Sequence, residues 1–135
     1  MMKTFYVGVK GVIVKDGKAL ILRNSTKFGR ADIWDVPGGR IDDDESIEQT
    51  LNRELKEELP NIKNVRVGSL LNAYRLHKDI DGDKSLVLVF FKVEADFNGD
   101  PELSDEHIDL QWVTEAEAIA TVSESCVEAI QRALS

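Results

Sequence analysis

Glu54, Glu57 and Glu58 stand at i, i+3 and i+4 in a segment with helical periodicity, so one helical face presents three carboxylates within a single turn. Without a counter-charge they repel one another. Glu57 and Glu58 also fall in the last helical turn, where the dipole disfavours negative charge by roughly 0.3 to 1 kcal/mol per group. Two local rules are broken at one place, and a hard divalent cation with oxygen ligands would turn that repulsion into binding energy. Mg²⁺ is the natural candidate, with Mn²⁺ as its substitute. For the glutamates alone, the plain alternative is a solvated acidic face. Upstream, Gly38-Gly39 lets the backbone approach a ligand closely, and a glycine carbonyl offers one more oxygen to the same ion.

The charge balance points the same way. Against 25 Asp and Glu stand 17 Lys and Arg, a net charge of -8, which argues against nucleic acid polymers and anionic membranes as partners. A small phosphorylated substrate would also be repelled unless a cation stood between it and the acidic site. The length of 135 residues fits one domain, 1–135. The single cysteine, Cys126, cannot form an internal disulfide, and its helical surroundings suit a buried structural thiol. Lys10 and Lys15 interrupt the N-terminal apolar run short of a signal-peptide core or a membrane span, so cytoplasmic residence is expected.

The elements that must position these groups can be read in order. Residues 5–14 are β-rich, and their apolar phase moves from odd to even positions around Lys10-Gly11, which a β-bulge at the glycine would explain. Asp16-Gly17 before Ala19-Leu20-Ile21-Leu22 signals a hairpin. A polar loop over 24–32 precedes Ile33-Trp34-Asp35-Val36, which Pro37-Gly38-Gly39 stops. In the segment 46–59, Ser46 and Gln49 form a capping-box pair, Ile47, Leu51 and Leu55 make a buried stripe, and Pro60 ends the helix. Strands are expected at about 65–77 and 85–95, joined by a turn through Asp79-Ile80-Asp81-Gly82-Asp83, and a short strand at 110–113. Thr114 and Glu117 form a second capping box, and 122–134 holds a terminal helix. This order points to a mixed α/β or α+β sandwich rather than regular βαβ alternation.

The stretch from Gly39 to Glu58 resembles the Nudix box, whose pattern is G, five residues, E, seven residues, then R-E-U-x-E-E-x-G-U with U aliphatic. Gly39, Glu45, Arg53, Glu54, Leu55, Glu57 and Glu58 fall on it, while Pro60 and Asn61 replace the closing glycine and aliphatic residue. Trp34-Asp35-Val36-Pro37 and Leu110-Gln111-Trp112-Val113-Thr114 look like family surroundings. The resemblance, to the MutT-like Nudix hydrolases, implies an α+β fold, the Nudix α/β/α sandwich with a mixed central β-sheet. It implies that Glu54, Glu57, Glu58 and the Gly39 carbonyl hold Mg²⁺, that Arg53 orients a box carboxylate, and that Glu45 braces the site. It places Glu106 as an additional carboxylate. Water would displace at phosphorus, with a glutamate taking the proton.

Arg23 and Arg40 are candidate phosphate contacts, because a guanidinium offers a bidentate fork, and surface solvation is their alternative. Trp34 and Trp112 read as core residues. The implied substrate is a small phosphoanhydride: a nucleoside triphosphate cleaved to the monophosphate and diphosphate, or else a nucleotide sugar or dinucleoside polyphosphate. A Nudix fold that binds a nucleotide or partner without cutting it is the reading from another class. Homodimers are common in the family.

Overall fold

The computed structural model describes residues 2–42, 44–80, 82 and 84–135, with the side chains of Phe28 and Lys78 left aside. The chain begins with β1 (Thr4–Lys15) and β2 (Lys18–Asn24), a hairpin whose central residues Asp16 and Gly17 both have positive φ, 52° and 76°. That is the mirror-image turn that the Asp-Gly pair favours, and it pairs Lys15 with Lys18. A 3₁₀ turn at Lys27–Gly29 leads to two short strands, β3 (Trp34–Asp35) and β4 (Gly38–Arg40). Helix α1 (Ile47–Glu58) follows, then the long strands β5 (Ile62–Ile80) and β6 (Lys84–Phe97), then β7 (His107–Val113). Two helices end the chain, α2 (Glu115–Thr121) and α3 (Glu124–Leu134).

The strands form one seven-stranded sheet with the path β3-β2-β1-β6-β5, on which β4 pairs with β1 and β7 with β2. Among the described residues the strand pairings are antiparallel except β1–β6, and an isolated parallel bridge joins Trp34 to Val122. On one face Val9, Ile13, Leu20, Leu22 and Val93 pack under Leu51 and Leu55 of α1 and Leu59 at its C-terminal cap. On the other, Val12, Ile21, Leu88 and Phe90 pack under Ala118 of α2 and Cys126, Ala129, Ile130 and Ala133 of α3. Three layers result, an α+β sandwich with a mixed central sheet. Full burial of Leu51, Leu55 and Leu59 contributes about 2 kcal/mol each, so α1 is anchored by one apolar stripe while its opposite face stays free for chemistry.

Both capping boxes form. Ser46 Oγ accepts from the Gln49 amide at 3.1 Å and Gln49 Oε1 accepts from the Ser46 amide at 2.9 Å, and Thr114 with Glu117 does the same at the start of α2. Cys126 is a free buried thiol. Trp34 and Trp112 pack against opposite cores, Trp112 edge-on to Phe97.

Three expectations are corrected. The pairing of β1 with β6 runs without a shift from Thr4–Lys84 to Ile13–Val93, so the phase change at Gly11 is not a bulge there. It arises because β1 is covered on both faces: Val9, Gly11 and Ile13 face α1, and Val12 faces α3. A β-carbon on Gly11 would sit 3.3 Å from Leu51 Cδ1, so the glycine lets α1 settle closely on the strand. Ile47 is not part of the buried stripe but 43% exposed. The hairpin strands 62–80 and 84–97 extend beyond the expected limits, because their ladder continues through several register shifts. The Thr114 cap opens α2, and the expected terminal helix is α3. Asp81 and Asp83 of the expected turn, and Asp43, lie outside the described residues.

Candidate active site

Strand β4 lies antiparallel to β1, with Val9 opposite Gly39 and Lys10 opposite Gly38, and its ends are clamped by Gly11 N to Pro37 O at 2.9 Å and Ile41 N to Val7 O at 2.8 Å. Gly38 has φ 145°, and a β-carbon there would come within 2.7 Å of Lys10 Cα. No other residue fits. A β-carbon on Gly39 would fall 2.6 Å from Glu54 Oε2, so the carboxylate rests directly on the glycine backbone. The turn and the helix thus meet at the two positions from which a cation could take both a carbonyl and a carboxylate.

Arg53 is the hub on the exposed side. Its Nε and Nη2 donate to Glu45 at 2.6 and 2.8 Å, its Nη1 donates to Glu54 Oε1 at 2.9 Å and reaches Glu57 at 3.4 Å, and its Nη2 meets the Arg40 carbonyl at 3.4 Å. Hydrogen bonds from Arg53 hold Glu45 below the usual carboxylate range. Asp42 N and Thr50 Oγ1 also donate to Glu45, each at 3.3 Å. Glu45 therefore supports Arg53, and Arg53 sets the direction of Glu54.

Glu58 lies on the buried side. Its Oε2 accepts from Gly38 N at 2.9 Å, and its Oε1 is 3.5 Å from His107 Nε2. Burial pushes Glu58 up to about 8, with the carboxylates of Glu54 and Glu106 adding to the rise against Lys10 and the Gly38 amide. Burial, aided by Arg30 and Lys10, holds His107 down to about 4. The two meet as neutral groups near pH 7 rather than as an ion pair. Glu54 is also raised, first by burial, with Arg53 opposing and Glu57 and Glu106 contributing. Glu106 thus acts electrostatically on both Glu54 and Glu58. Its own backbone carbonyl is fixed by Ser25 N at 2.9 Å and Arg30 Nη1 at 2.7 Å.

Among the described residues, no three His, Cys, Asp or Glu side chains are drawn close enough to hold a metal ion, since Arg53 is hydrogen-bonded to Glu54 and Glu57. The donor chemistry nevertheless fits a hard divalent cation. All the candidates are oxygen donors, and burial together with mutual repulsion raises Glu54 and Glu58, a penalty on the carboxylate form that a bound cation would relieve.

The altered end of the box is accommodated. Leu59 N still donates to Leu55 O, and Asn61 Nδ2 donates to the carbonyls of Asn98 at 3.0 Å and Asp100 at 2.7 Å, while Asn61 Oδ1 accepts from Glu102 N at 2.9 Å. Ser104 N donates to the Glu58 carbonyl at 3.1 Å. The polar side chain ties the helix exit to the segment that carries Glu106.

The NUDIX domain family model matches residues 3–132. The chain belongs to the Nudix family. It is similar to the CTP pyrophosphohydrolase of Escherichia coli (strain K12), 32% identical over 111 residues, covering 82% of this chain and 77% of that protein. Over 51 residues, 38% of this chain and 39% of that protein, it is 37% identical to the 8-oxo-dGTP diphosphatase of Buchnera aphidicola. The solved MutT protein of Methanosarcina mazei Go1 superimposes with a TM-score of 0.81 at 25% identity, covering 98% of this chain and 94% of that one. This Nudix chain is a pyrophosphohydrolase by those relationships, and hydrolases of the family use divalent metal ions. No described helix is long and apolar enough to cross a membrane.

Beside the Nudix box lies a cleft of about 440 Å³. Gly8, Leu86 and Leu88 make its apolar floor, and Lys10, Arg30, Gly39 and Arg40 border it. A larger hollow of about 530 Å³, near the Asp16-Gly17 turn and the C-terminus, contains no box residue. Arg40 stacks over the Tyr6 ring at 4.4 Å, whereas Arg23 spends its fork on Asp32 at 2.8 and 2.9 Å and does not line the cleft. Sequence reasoning passed over Lys10 and Arg30. Lys10 had a signal, a lysine between glycine and apolar residues in a strand, but its partners lie 25 and 26 positions away.

Proposed function

We propose that this protein hydrolyses a nucleoside triphosphate to the nucleoside monophosphate and diphosphate, with Mg²⁺ held by Glu54, Glu57, Glu58 and the Gly39 carbonyl. Residues 1–135 would act as one Nudix domain. The observation that carries this reading is the cleft: its 440 Å³ falls within the roughly 300 to 1,000 Å³ of small-molecule sites, and it joins an apolar floor to cations at the edge where Gly39 meets Glu54. The apolar floor suits a nucleobase. Arg30 donates to neutral acceptors, the Glu106 carbonyl and Asn24 Oδ1, and Arg40 lies on an aromatic ring, so both keep their charge for phosphate oxygens. Arg23 would join only by leaving Asp32.

When bound, the metal ion would offset charge on the diphosphate and lower the pKa of the attacking water. Arg53 orients Glu54 over Gly39, Glu45 keeps Arg53 in place, and Gly38 N fixes the Glu58 carboxyl. Glu106 stands near enough to add to the field at both. A box glutamate accepts the proton from water. The CTP pyrophosphohydrolase and 8-oxo-dGTP diphosphatase to which the chain is similar support a nucleotide substrate. The test is chromatographic product analysis over nucleoside triphosphates, nucleotide sugars, dinucleoside polyphosphates and ADP-ribose, with Mg²⁺ or with chelator. Mg²⁺-dependent release of monophosphate and diphosphate from a triphosphate is expected. Cleavage confined to nucleotide sugars or dinucleoside polyphosphates would move the substrate class, and no cleavage at all would overturn the reading.

A further inference from the structure

Lys10 sits on β1 between Val9 and Gly11, and its Nζ donates to Asp35 Oδ2 at 3.2 Å and to the Val36 carbonyl at 3.1 Å. Asp35 in turn accepts from the Val36 amide at 2.7 Å and from the Cys126 thiol at 2.9 Å. An ammonium has three N–H donors, and two are accounted for. The side chain of Lys10 keeps 15% of its surface and borders the same cleft whose floor is Gly8, Leu86 and Leu88.

The ion pair changes what Lys10 can offer. Its charge is already matched by Asp35, so it serves poorly as a cation for phosphate, a task better suited to Arg30 and Arg40. What it offers is one directed N–H at the edge of an apolar floor, which matches a neutral acceptor on a flat ring. Because two bonds hold the ammonium in place, it cannot swing away from a mismatched group.

We propose that Lys10 is a specificity residue, donating its remaining N–H to a carbonyl oxygen on the nucleobase. A base that carries an amino group at that position sets donor against donor and is disfavoured. The inference rests on the proposed nucleotide substrate and adds the keto edge as its selected feature. Asp35 is a positioning residue here, acting through Lys10.

The comparisons are inosine against adenosine triphosphate and uridine against cytidine triphosphate, each exchanging keto for amino at one ring position, with the adjacent ring nitrogen changing from N–H donor to acceptor. The unaltered protein is expected to favour the keto member by about ten- to a hundredfold in kcat/KM, expressed mainly in KM. Lys10→Met should bring that ratio close to one. Because Lys10→Met leaves Asp35 without its cation, the double variant Lys10→Met/Asp35→Asn, which restores neutrality, should show the same loss of preference. Equal keto and amino ratios in the unaltered protein, or a ratio that survives both variants, would overturn the inference. Calorimetric binding of inosine monophosphate against adenosine monophosphate reads the contact without turnover. Absence of turnover with a preserved binding preference removes the proposed reaction alone, and equal binding of the two monophosphates removes the role of Lys10.

Discussion

Arg53 gathers three acids beside the Gly38-Gly39 turn and Lys10 pairs with one, but Arg53 keeps 33% of its side chain exposed and Lys10 keeps 15%. Arg53 shares itself among Glu45, Glu54 and Glu57, and water can take over any of those contacts. Lys10 has one carboxylate, one carbonyl and no such substitute. The difference separates two kinds of work. An exposed hub can release carboxylates to a cation with little consequence for the fold, whereas a buried pair holds the wall of the cleft in one shape and cannot lose a member cheaply. Glu58 lies between them, raised by Glu54 on one side and lowered by Lys10 on the other.

The comparison is broken most severely at its junction. Glu58→Gln, and likewise Glu57→Gln on the exposed side, is expected to lower kcat by about a thousandfold, some 4 kcal/mol of barrier, with the circular dichroism spectrum unchanged, because glutamine keeps the shape but cannot become a carboxylate for a cation. Full turnover in both variants would remove these residues from the proposed metal site.

Next come the two networks themselves. Asp35→Ala strands the buried Lys10 ammonium and the Cys126 thiol, and a loss of about 3 kcal/mol in unfolding free energy is expected by denaturant titration. Arg53→Met should change stability far less while still lowering kcat, since Glu54 loses its orienting partner. Equal destabilisation by the two substitutions would mean that burial does not distinguish them.

A pH titration sharpens the contrast without mutation. Glu58 titrates near 8 in the folded protein against 4.5 as its ordinary value, so its native form binds the extra proton, and the stability this gives is lost as pH rises through 8. His107 is depressed from 6.5 to about 4, and its contribution is present above 6.5 and lost as pH falls through 4. Between 4.5 and 6.5 the two oppose each other. From 6.5 to 8 Glu58 acts without His107, and metal-free protein should lose about 2 kcal/mol over that window, a slope that Glu58→Gln abolishes. A flat melting temperature from pH 6.5 to 8 in chelator would contradict the burial of Glu58.

The two networks also differ in how far they could be read from the sequence. The Arg53 side was legible because its parts are local: the i, i+3, i+4 glutamates, the Ser46-Gln49 cap and the spacing back to Glu45 and Gly39 all lie within one box. So was the Asp16-Gly17 hairpin, since two adjacent residues decide that turn. The Lys10 side was not legible. Its partners come from β3 and α3, joined only when β1 is buried centrally, and a lysine in an apolar run reads locally as an interruption. The role of Gly11 was misread for the same reason: a close approach by Leu51 is invisible in β1 alone. Arg23 looked like a phosphate ligand by type, and Asp32, nine positions on, takes its fork.

The smallest expected effect concerns the residue that departs from the family pattern. The Asn61 side chain makes three hydrogen bonds, two donated and one accepted, to the segment 98–102 that precedes Glu106, and Ser104 N, beyond it, returns to the helix at the Glu58 carbonyl. Asn61→Leu restores an aliphatic side chain at the position but gives up all three bonds. The bonds are solvent-accessible and water replaces them in part, so the expected loss is about 1 kcal/mol in unfolding free energy. The consequence for catalysis is indirect, through the placing of Glu106, and a severalfold fall in kcat is expected beside the thousandfold fall of Glu58→Gln. Parallel thermal melts and kcat measurements decide the matter. If Asn61→Leu matched Glu58→Gln in lost turnover at undiminished stability, the helix exit would belong to the reacting site itself, and the division between an exposed hub and a buried wall would no longer describe where the chemistry is controlled.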